Sequence, residues 1–230
     1  MKVIIENIKK SYSNRFTLDI GKLELAEGRI YGILGPNGSG KTTLLRLISG
    51  LEKPDNGKIS YGSEFEAPSG EVAFLLQNSY LFDFSVLENV LLGTGGKSTD
   101  DQKLAMDALR EIGMEKYANV RASTLSGGEA QKVAIARTLV RKRRLVLLDE
   151  PTASVDIYSM RQVEDFIKKF NKNHNATVVI STHNPSQAAR IADEVVIMWN
   201  GCIIERGSPE SVFSSPCREE TRQFLENWRI

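Results

Sequence analysis

The chain contains 230 residues, of which 41% are hydrophobic and 26% are charged. These fractions are typical of an ordinary globular protein and exclude collagen-like, low-complexity and disordered chains. Its 30 Lys and Arg residues nearly balance its 29 Asp and Glu residues, which leaves a formal net charge of +1. Because nucleic-acid-binding domains usually carry a basic surplus, we expect no nucleic acid among the partners.

Signals for secretion and membrane insertion are missing from the sequence. Met1–Lys10 has no charged leader or cleavage site, and no apolar run approaches the roughly 18 residues of a membrane span. Cys202 and Cys217 do not form a CxxC pair, which argues against a metal site and a disulfide scaffold. We therefore expect the protein in the reducing cytoplasm.

The first part of the chain predicts strands followed by a loop and a helix. The β-rich runs Val3–Ile8 and Phe16–Ile20 come first, and the apolar run Ile30–Leu34 is a predicted buried strand. After a glycine-rich turn, apolar residues recur at helical spacing from Leu44 to a predicted C-terminal cap at Gly50.

The turn between this strand and this helix fits the pattern GxxxxGK[ST], which is typical of a phosphate-binding loop. Glycines let successive backbone N–H groups point at a phosphate, and the start of the helix adds its positive end. Lys41 would neutralise the β- and γ-phosphates, and the Thr42 hydroxyl would hold Mg²⁺. The pattern predicts a nucleoside triphosphate bound by Gly35, Pro36, Asn37, Gly38, Ser39, Gly40, Lys41 and Thr42, which we call the phosphate loop.

The next segment changes from strand patterns to helical ones. Asp55–Gly57 predicts a turn into a strand over Lys58–Tyr61, and Val72–Leu76 predicts a strand that ends at Gln77. No β-rich run appears from residue 85 to residue 124, where apolar residues share one helical face. We interpret residues 85–124 as a helical subdomain inserted into a sheet domain.

Leu125–Glu129 reads Leu-Ser-Gly-Gly-Glu and precedes a long helical pattern. Ser126 and Glu129 have the spacing of a capping box, in which each side chain bonds the backbone N–H of the other. Gly127 and Gly128 are poor helix formers, so their place in the first turn favours an anion close to the N–H groups. Since the phosphate loop is already one cradle, the second one predicts a phosphate held between two copies of the chain.

Two acids follow the apolar strand Leu145–Leu148. In parallel sheets, ligands bind at the carboxyl ends of the strands. Adjacent side chains diverge on a strand, so Asp149 can face Mg²⁺ while Glu150 acts as the base for the attacking water.

The remaining patterns complete an α/β fold. A helix around Val163–Phe170 separates the strand patterns Leu145–Leu148 and Val178–Ile180, and Asn200-Gly201 predicts a hairpin near the end. Apolar strands that alternate with amphipathic helices predict a mainly parallel sheet covered on both faces. We expect one domain over residues 1–230, with residues 1–84 and 125–230 as its core and residues 85–124 as its insertion.

In this order the motifs resemble the nucleotide-binding domain of ABC transporters. The resemblance runs from about residue 2 to residue 228 and also includes Ala153–Asp156 and His183 after a late strand. It implies the ABC ATPase fold, which is a P-loop NTPase core with an N-terminal antiparallel β-subdomain and an inserted helical subdomain. It also implies an ATPase that uses ATP and Mg²⁺ as a head-to-tail homodimer. Each ATP would lie between the phosphate loop of one copy and Leu125–Glu129, the signature loop, of the other.

The resemblance assigns roles residue by residue. Tyr12 takes the position of the aromatic that stacks on adenine, and Thr43 joins the nucleotide contacts. Gln77 matches the glutamine that senses Mg²⁺ and water near the membrane partner, His183 the switch histidine at the γ-phosphate, and Asp156 the acid that crosses the interface. The implied catalytic residues are Lys41, Gln77, Glu150 and His183, the metal ligands Thr42, Gln77 and Asp149, and the signature-loop contacts Ser126, Gly127, Gly128 and Glu129.

The resemblance also implies a setting. The chain would bind transmembrane permease subunits on the inner, cytoplasmic face of the cell membrane, and through them a substrate-binding protein, to drive import. Leu125–Ile135, Gln187–Asp193 and Gly207–Leu225 are similar to ATPases of oxyanion importers of the tungstate and phosphate kind. Glu129 replaces the usual glutamine and Asn184 the usual aspartate, and we expect both departures to affect affinity and rate but not the reaction.

Three other functions compete with this interpretation. An exporter or lipoprotein-release ATPase has the same motifs, so only the co-purifying membrane protein would separate the two. Soluble ABC proteins that act on ribosomes or DNA resemble paired domains or carry long coiled-coil insertions, and this chain has neither. A regulatory binding module would be expected to lack the base, the signature loop or the switch histidine, whereas Glu150, Ser126 and His183 are all present.

Overall fold

The computed structural model describes residues 1–12, 16–62, 70–78 and 80–228. Its strands are β1 (Val3–Tyr12), β2 (Phe16–Leu25), β3 (Ile30–Leu34), β4 (Asn56–Tyr61), β5 (Val72–Leu75), β6 (Leu145–Asp149), β7 (Thr177–Thr182), β8 (Glu194–Trp199) and β9 (Cys202–Gly207). Its α-helices are α1 (Lys41–Ser49), α2 (Val86–Thr94), α3 (Thr99–Glu111), α4 (Gly127–Leu139), α5 (Ile157–His174), α6 (Pro185–Ile191), α7 (Pro209–Ser214) and α8 (Glu219–Glu226). Short 3₁₀ helices cover Glu115–Tyr117 and Ala122–Thr124.

The N-terminal strands form an antiparallel sheet in the order β2-β1-β4. Val3 and Ile5 are buried because alternate side chains of a strand point to the same face. Asn7 has a φ of +49°, and the pairing of β1 with β4 shifts register between Glu6 and Lys9. The irregularity turns Ile8 back into the core, so Val3, Ile5 and Ile8 all lie on the buried face of β1.

The second sheet has the order β5-β6-β7-β3-β8-β9, and only the β8–β9 pair is antiparallel. Every residue of β3, β6 and β7 is buried, as expected for parallel strands covered on both faces. Val146 and Leu148 pack into one core with α2–α5, while Leu145 and Leu147 pack into another with α1 and the N-terminal sheet. The predicted α/β fold with a mainly parallel sheet and an antiparallel N-terminal sheet is confirmed.

The register of the parallel strands brings three chain segments to one edge of the sheet. Leu34 at the end of β3 pairs with Thr182 at the end of β7, and Asp149 at the end of β6 pairs with Ser181. The phosphate loop, the two acids and His183 each follow one of these ends. The sheet therefore gathers residues that are more than a hundred positions apart in the chain.

Residues 85–124 contain α2, α3 and the 3₁₀ helices, and they pack on α4 through the core shared by α2–α5. Whether this segment is a separate subdomain stays a prediction. The fourth strand is longer than predicted, because Asn56 of the expected turn pairs with Lys9. Among the described residues, no helix combines the length and apolarity needed to cross a bilayer.

Candidate functional site

The phosphate loop connects β3 to α1 and wraps around its own lysine. Gly35 has a φ of +146°, and a Cβ there would lie 2.1 Å from the carbonyl oxygen of Met198, so the position requires glycine. Lys41 Nζ donates hydrogen bonds to the carbonyl oxygens of Gly35 at 2.8 Å and Pro36 at 3.1 Å. These bonds hold the ammonium group inside the loop.

The Lys41 ammonium group is poorly solvated, with only 7% of the residue exposed. Burial lowers the pKa of Lys41 from its ordinary value, and the charges of Glu150 and Asp149 act in the opposite direction. A cation that has lost water gains more from a nearby anion than an exposed one does. The loop is therefore suited to a polyanion such as a triphosphate.

The end of β6 supplies oxygen ligands for a cation. Thr42 Oγ1 donates to Asp149 Oδ2 at 2.8 Å, and Ser181 Oγ donates to Asp149 Oδ1. A hydroxyl, a carboxylate and the nearby Gln77 amide are the hard oxygen donors that Mg²⁺ prefers. The donor set therefore fits the predicted cation.

Glu150 has a strained backbone. Its φ of +48° lies in the left-handed region, which residues other than glycine rarely adopt and which is often found at functional sites. Its Oε2 atom lies 2.9 Å from Nδ1 of His183. Because the backbone turns directly after Asp149, the two consecutive carboxylates serve different partners: Asp149 contacts Thr42, and Glu150 contacts His183.

Two cavities meet at these residues. Asn37, Gln77 and Glu150 contribute to both, and the larger cavity has a size typical of small-molecule sites. The first, of about 490 Å³, is lined by Phe16, Asn37, Gly38, Gly40, Lys41, Thr42, Thr43, Gln77, Asp149 and Glu150. The second, of about 350 Å³, is lined by Pro36, Asn37, Gln77, Glu150, His183, Phe224, Asn227 and Trp228.

Sequence reasoning missed several of these residues. Phe224, Asn227 and Trp228 lie near the end of the described chain, and the Trp228 ring centroid is 5.5 Å from that of His183. No local motif marks them, because they reach the site only through the packing of α8 against the sheet. Phe16 at the start of β2 and Ser181 on β7 were also missed, because both look like ordinary strand residues.

Three predicted nucleotide contacts lie beside the cavities without lining either one. Tyr12 is 39% exposed, its ring centroid is 6.5 Å from that of Phe16, and its hydroxyl donates to Glu52. Gly35 and Ser39 shape the loop, since the Ser39 N–H donates to the carbonyl oxygen of Pro36 at 3.2 Å. The role of Tyr12 at adenine stays a prediction.

The signature loop lines neither cavity. The Ser126 N–H and hydroxyl donate to Glu129 Oε2 at 2.8 and 2.7 Å, and the Glu129 N–H donates to Ser126 Oγ, which confirms the predicted capping box. These hydrogen bonds from Ser126 lower the pKa of Glu129. A Cβ on Gly128 would lie 2.7 Å from the carbonyl oxygen of Ser154, so the loop packs closely on the segment that follows Glu150.

Asp156, at the end of that segment, caps α5. Its Oδ1 atom accepts hydrogen bonds from the N–H groups of Tyr158 and Ser159, both at 3.0 Å. The hydrogen bond from the Ser159 N–H is the main cause of its lowered pKa. The carboxylate therefore stabilises a helix start within its own chain.

The arrangement of motifs can be compared with known proteins. The family profile described as ABC transporter matches residues 18–153. The chain belongs to the ABC transporter family. The tungstate uptake system ATP-binding protein TupC of Peptoclostridium acidaminophilum is 39% identical over 209 residues, which cover 89% of this chain and 98% of TupC. The probable sulfate/thiosulfate import ATP-binding protein CysA of Chlorella vulgaris is 36% identical, covering 98% of this chain and 99% of that protein.

A solved ABC cassette shares the fold. The dimeric post-hydrolysis structure of MJ0796 bound to ADP and Pi superposes with a TM-score of 0.81 at 28% identity, covering 90% of this chain and 98% of that one. This chain is therefore the subunit of an ABC transporter that binds and hydrolyses ATP. Such a subunit works together with membrane permease subunits.

Proposed function

We propose that two copies of this chain bind two ATP molecules head to tail and use their hydrolysis to drive import through membrane subunits. One observation supports this proposal most directly. The phosphate loop, the cation ligands and the Glu150–His183 pair surround two cavities that share lining residues, whereas the signature loop of the same chain lines neither of them. A second copy is therefore needed to bring a signature loop to the bound phosphates.

Each residue of the site has a chemical task in this proposal. Lys41 and the phosphate-loop N–H groups bind the β- and γ-phosphates and stabilise the charge that develops on them. Thr42, Asp149 and Gln77 would hold Mg²⁺, which neutralises phosphate charge when it is bound. Glu150 accepts a proton from the water that attacks the γ-phosphorus in line, and His183 holds the Glu150 carboxylate in place.

The second copy would complete the site with its signature loop. The start of α4 offers the positive end of a helix and the N–H groups of Gly127 and Gly128. Ser126 and Glu129 are bonded to each other, so they would present a capped helix start to the γ-phosphate. The partner would thereby exclude water from the phosphate and add positive potential opposite Lys41.

Exposed aromatic side chains that follow Gln77 within a few positions of the chain fit docking to a membrane partner. Tyr80, Phe82 and Phe84 are 85%, 57% and 47% exposed, and the rings of Phe82 and Phe84 stack at 5.8 Å. Contiguous exposed apolar side chains usually mark an interaction site. We place the permease subunits here, which puts the chain at the inner, cytoplasmic face of the cell membrane.

The transported substrate is proposed from the relatives. TupC is named for tungstate uptake and CysA for sulfate/thiosulfate import, and this chain aligns with each over almost its whole length. We propose an oxyanion such as tungstate, delivered by a substrate-binding protein. Co-purification of the membrane subunits and tungstate-stimulated ATPase activity of the reconstituted complex test this; stimulation by amino acids or polyamines alone would reject it.

The base is tested with Glu150→Gln. The variant should bind ATP normally and hydrolyse it roughly 10²-fold or more slowly, because a general base typically contributes about 10²- to 10⁴-fold. Saturated with ATP and Mg²⁺, it should elute as a dimer in size-exclusion chromatography. Glu111→Gln is the matched control, since it removes a carboxylate that pairs with Lys169 and lines neither cavity. Near-normal turnover of Glu150→Gln would remove Glu150 from the base role, and a persistent monomer would reject the head-to-tail dimer.

A further inference from the structure

Ser181 lies on β7 directly beside the two acids of β6, and none of it is exposed to solvent. Its hydroxyl donates to Asp149 Oδ1 and accepts the Glu150 N–H at 3.0 Å. Its carbonyl oxygen accepts the same N–H at 3.2 Å. One buried residue therefore contacts both the proposed cation ligand and the proposed base.

The contact with Glu150 acts on a strained backbone. A non-glycine residue stays in the left-handed region only when its surroundings hold it there. Ser181 provides two acceptors for the Glu150 N–H, and this N–H belongs to the peptide unit that turns the chain after Asp149. The hydroxyl thus helps to fix the direction in which the Glu150 side chain leaves the strand.

The contact with Asp149 acts on a buried carboxylate. Asp149 is 1% exposed, and a buried carboxylate needs hydrogen bonds to both oxygens. Thr42 bonds Oδ2 and Ser181 bonds Oδ1, so the plane of the carboxylate is fixed from two sides. Outer hydrogen-bond partners of this kind orient metal-ligating carboxylates.

We propose that Ser181 is a positioning residue that aligns Asp149 for the cation and Glu150 for the attacking water through one hydroxyl group. The proposal rests on the roles of Asp149 and Glu150 given above. The adjacent Thr182 hydroxyl cannot replace it, because that side chain accepts the N–H of Asn184 at 3.1 Å on the other side of the strand end.

The first experiment removes the hydroxyl with Ser181→Ala. At saturating ATP and Mg²⁺, turnover should fall roughly 10- to 100-fold, which is the usual cost of losing an outer partner of a metal site. Ser181→Thr, which keeps the hydroxyl, should recover most of the activity.

The matched control is Thr177→Val at the opposite end of the same strand. Thr177 is also fully buried, and its hydroxyl donates to the carbonyl oxygen of Met1 at 2.7 Å, far from the site. It should lower the Tm about as much as Ser181→Ala and leave turnover unchanged. If Ser181→Ala lowers the Tm in the same way without reducing turnover, its role is structural only and the proposal is wrong.

The second experiment measures the effects of the Ser181–Asp149 and Ser181–Glu150 contacts separately, in a Glu150→Gln background with ATP present. Adding Ser181→Ala should weaken Mn²⁺ binding, measured by electron paramagnetic resonance, by roughly 10- to 100-fold. It should lower the residual turnover less than it does in the wild type, because residues that act as a unit are not additive. Unchanged Mn²⁺ affinity together with a fully additive loss of turnover would overturn the proposal. Normal turnover of Glu150→Gln itself would instead point to a failure of the proposed base.

Discussion

The chain contains two helix starts suited to a phosphate, and they are built in opposite ways. Helix α1 begins after Gly40, whose backbone is in the left-handed region and which provides no side-chain cap. The first turn of α1 contains no acidic residue. Helix α4 begins with a complete capping box, and Glu129 lies in its first turn. Within the described part of the chain, no side chain bonds the N–H groups at the start of α1, so they can bind a ligand. At the start of α4, the Glu129 carboxylate already accepts a hydrogen bond from the Ser126 N–H.

This difference separates a loop that can bind phosphate within one chain from a loop that needs the bound phosphate of a second chain. The phosphate loop has its cation, Lys41, within the same turn and faces a cavity lined by its own chain. The signature loop carries its own negative charge, so its affinity for an isolated anion should be low. A phosphate already held by the phosphate loop of another copy would be bound by both loops together, which makes ATP the link between the copies.

Removing the charge at the stronger site should have the largest effect. Lys41→Met should weaken ATP binding about 10²-fold or more, because losing one partner of a buried charge pair costs about 3–5 kcal/mol. Isothermal titration with ATP measures the change. Lys58→Met, which breaks a surface ion pair with Glu6, is the control and should bind ATP normally. Retained affinity in Lys41→Met would show that the two helix starts are more alike than the structure indicates.

The packing of the signature loop predicts an intermediate effect on stability. Gly128→Ala would place a Cβ 2.7 Å from the carbonyl oxygen of Ser154, and forced repacking typically costs about 1–3 kcal/mol. At Gly127 the added Cβ meets nothing within 4 Å, so Gly127→Ala should stabilise the free chain by up to about 1 kcal/mol through helix propensity. Thermal unfolding of the two variants should move in opposite directions. Equal shifts would contradict the close contact between the loop and residue 154.

Glu129→Gln should have the smallest effect and tests the self-capping directly. The neutral side chain keeps a carbonyl acceptor for Ser126 but removes the charge, so ATP should bind the dimer a few-fold more tightly, as expected when an exposed charge near a helix start changes. The KM for ATP of the hydrolysing dimer measures this change. A higher KM in the variant would show that the carboxylate assists binding.

The same variant should change the pH dependence of stability. The pKa of Glu129 is lower in the folded chain than its ordinary value of 4.5. Its contribution to stability is therefore complete above about pH 4.5 and is lost as the pH falls through the folded pKa. The difference in Tm between the wild type and Glu129→Gln should shrink on acidification below pH 4.5. A difference independent of pH would mean that the Ser126 bonds do not favour the charged form.

The parts of the site that sequence could predict are those written in consecutive residues. The phosphate loop, the capping box of Ser126 and Glu129, and the acids after β6 each depend on spacing within about eight positions, so the pattern and the chemistry coincide. Ser181 and Trp228 have no such pattern, because their importance comes from a strand and a helix that pack from elsewhere in the chain. The hydrogen bond between His183 and Glu150 could not be predicted from either local pattern, because it depends on β6 and β7 lying side by side in the sheet.

By itself, the sequence determined the alternation of strands and helices, the triphosphate chemistry of the phosphate loop and the helix cap at Ser126. Local geometry and short-range hydrogen bonds decide these features, and both are encoded by neighbouring residues. The tertiary structure alone decided that β3, β6 and β7 end side by side, that Ser181 bonds both acids, and that the signature loop lies away from the cavities of its own chain. Strand register and helix packing depend on contacts between distant residues, and no short pattern specifies them.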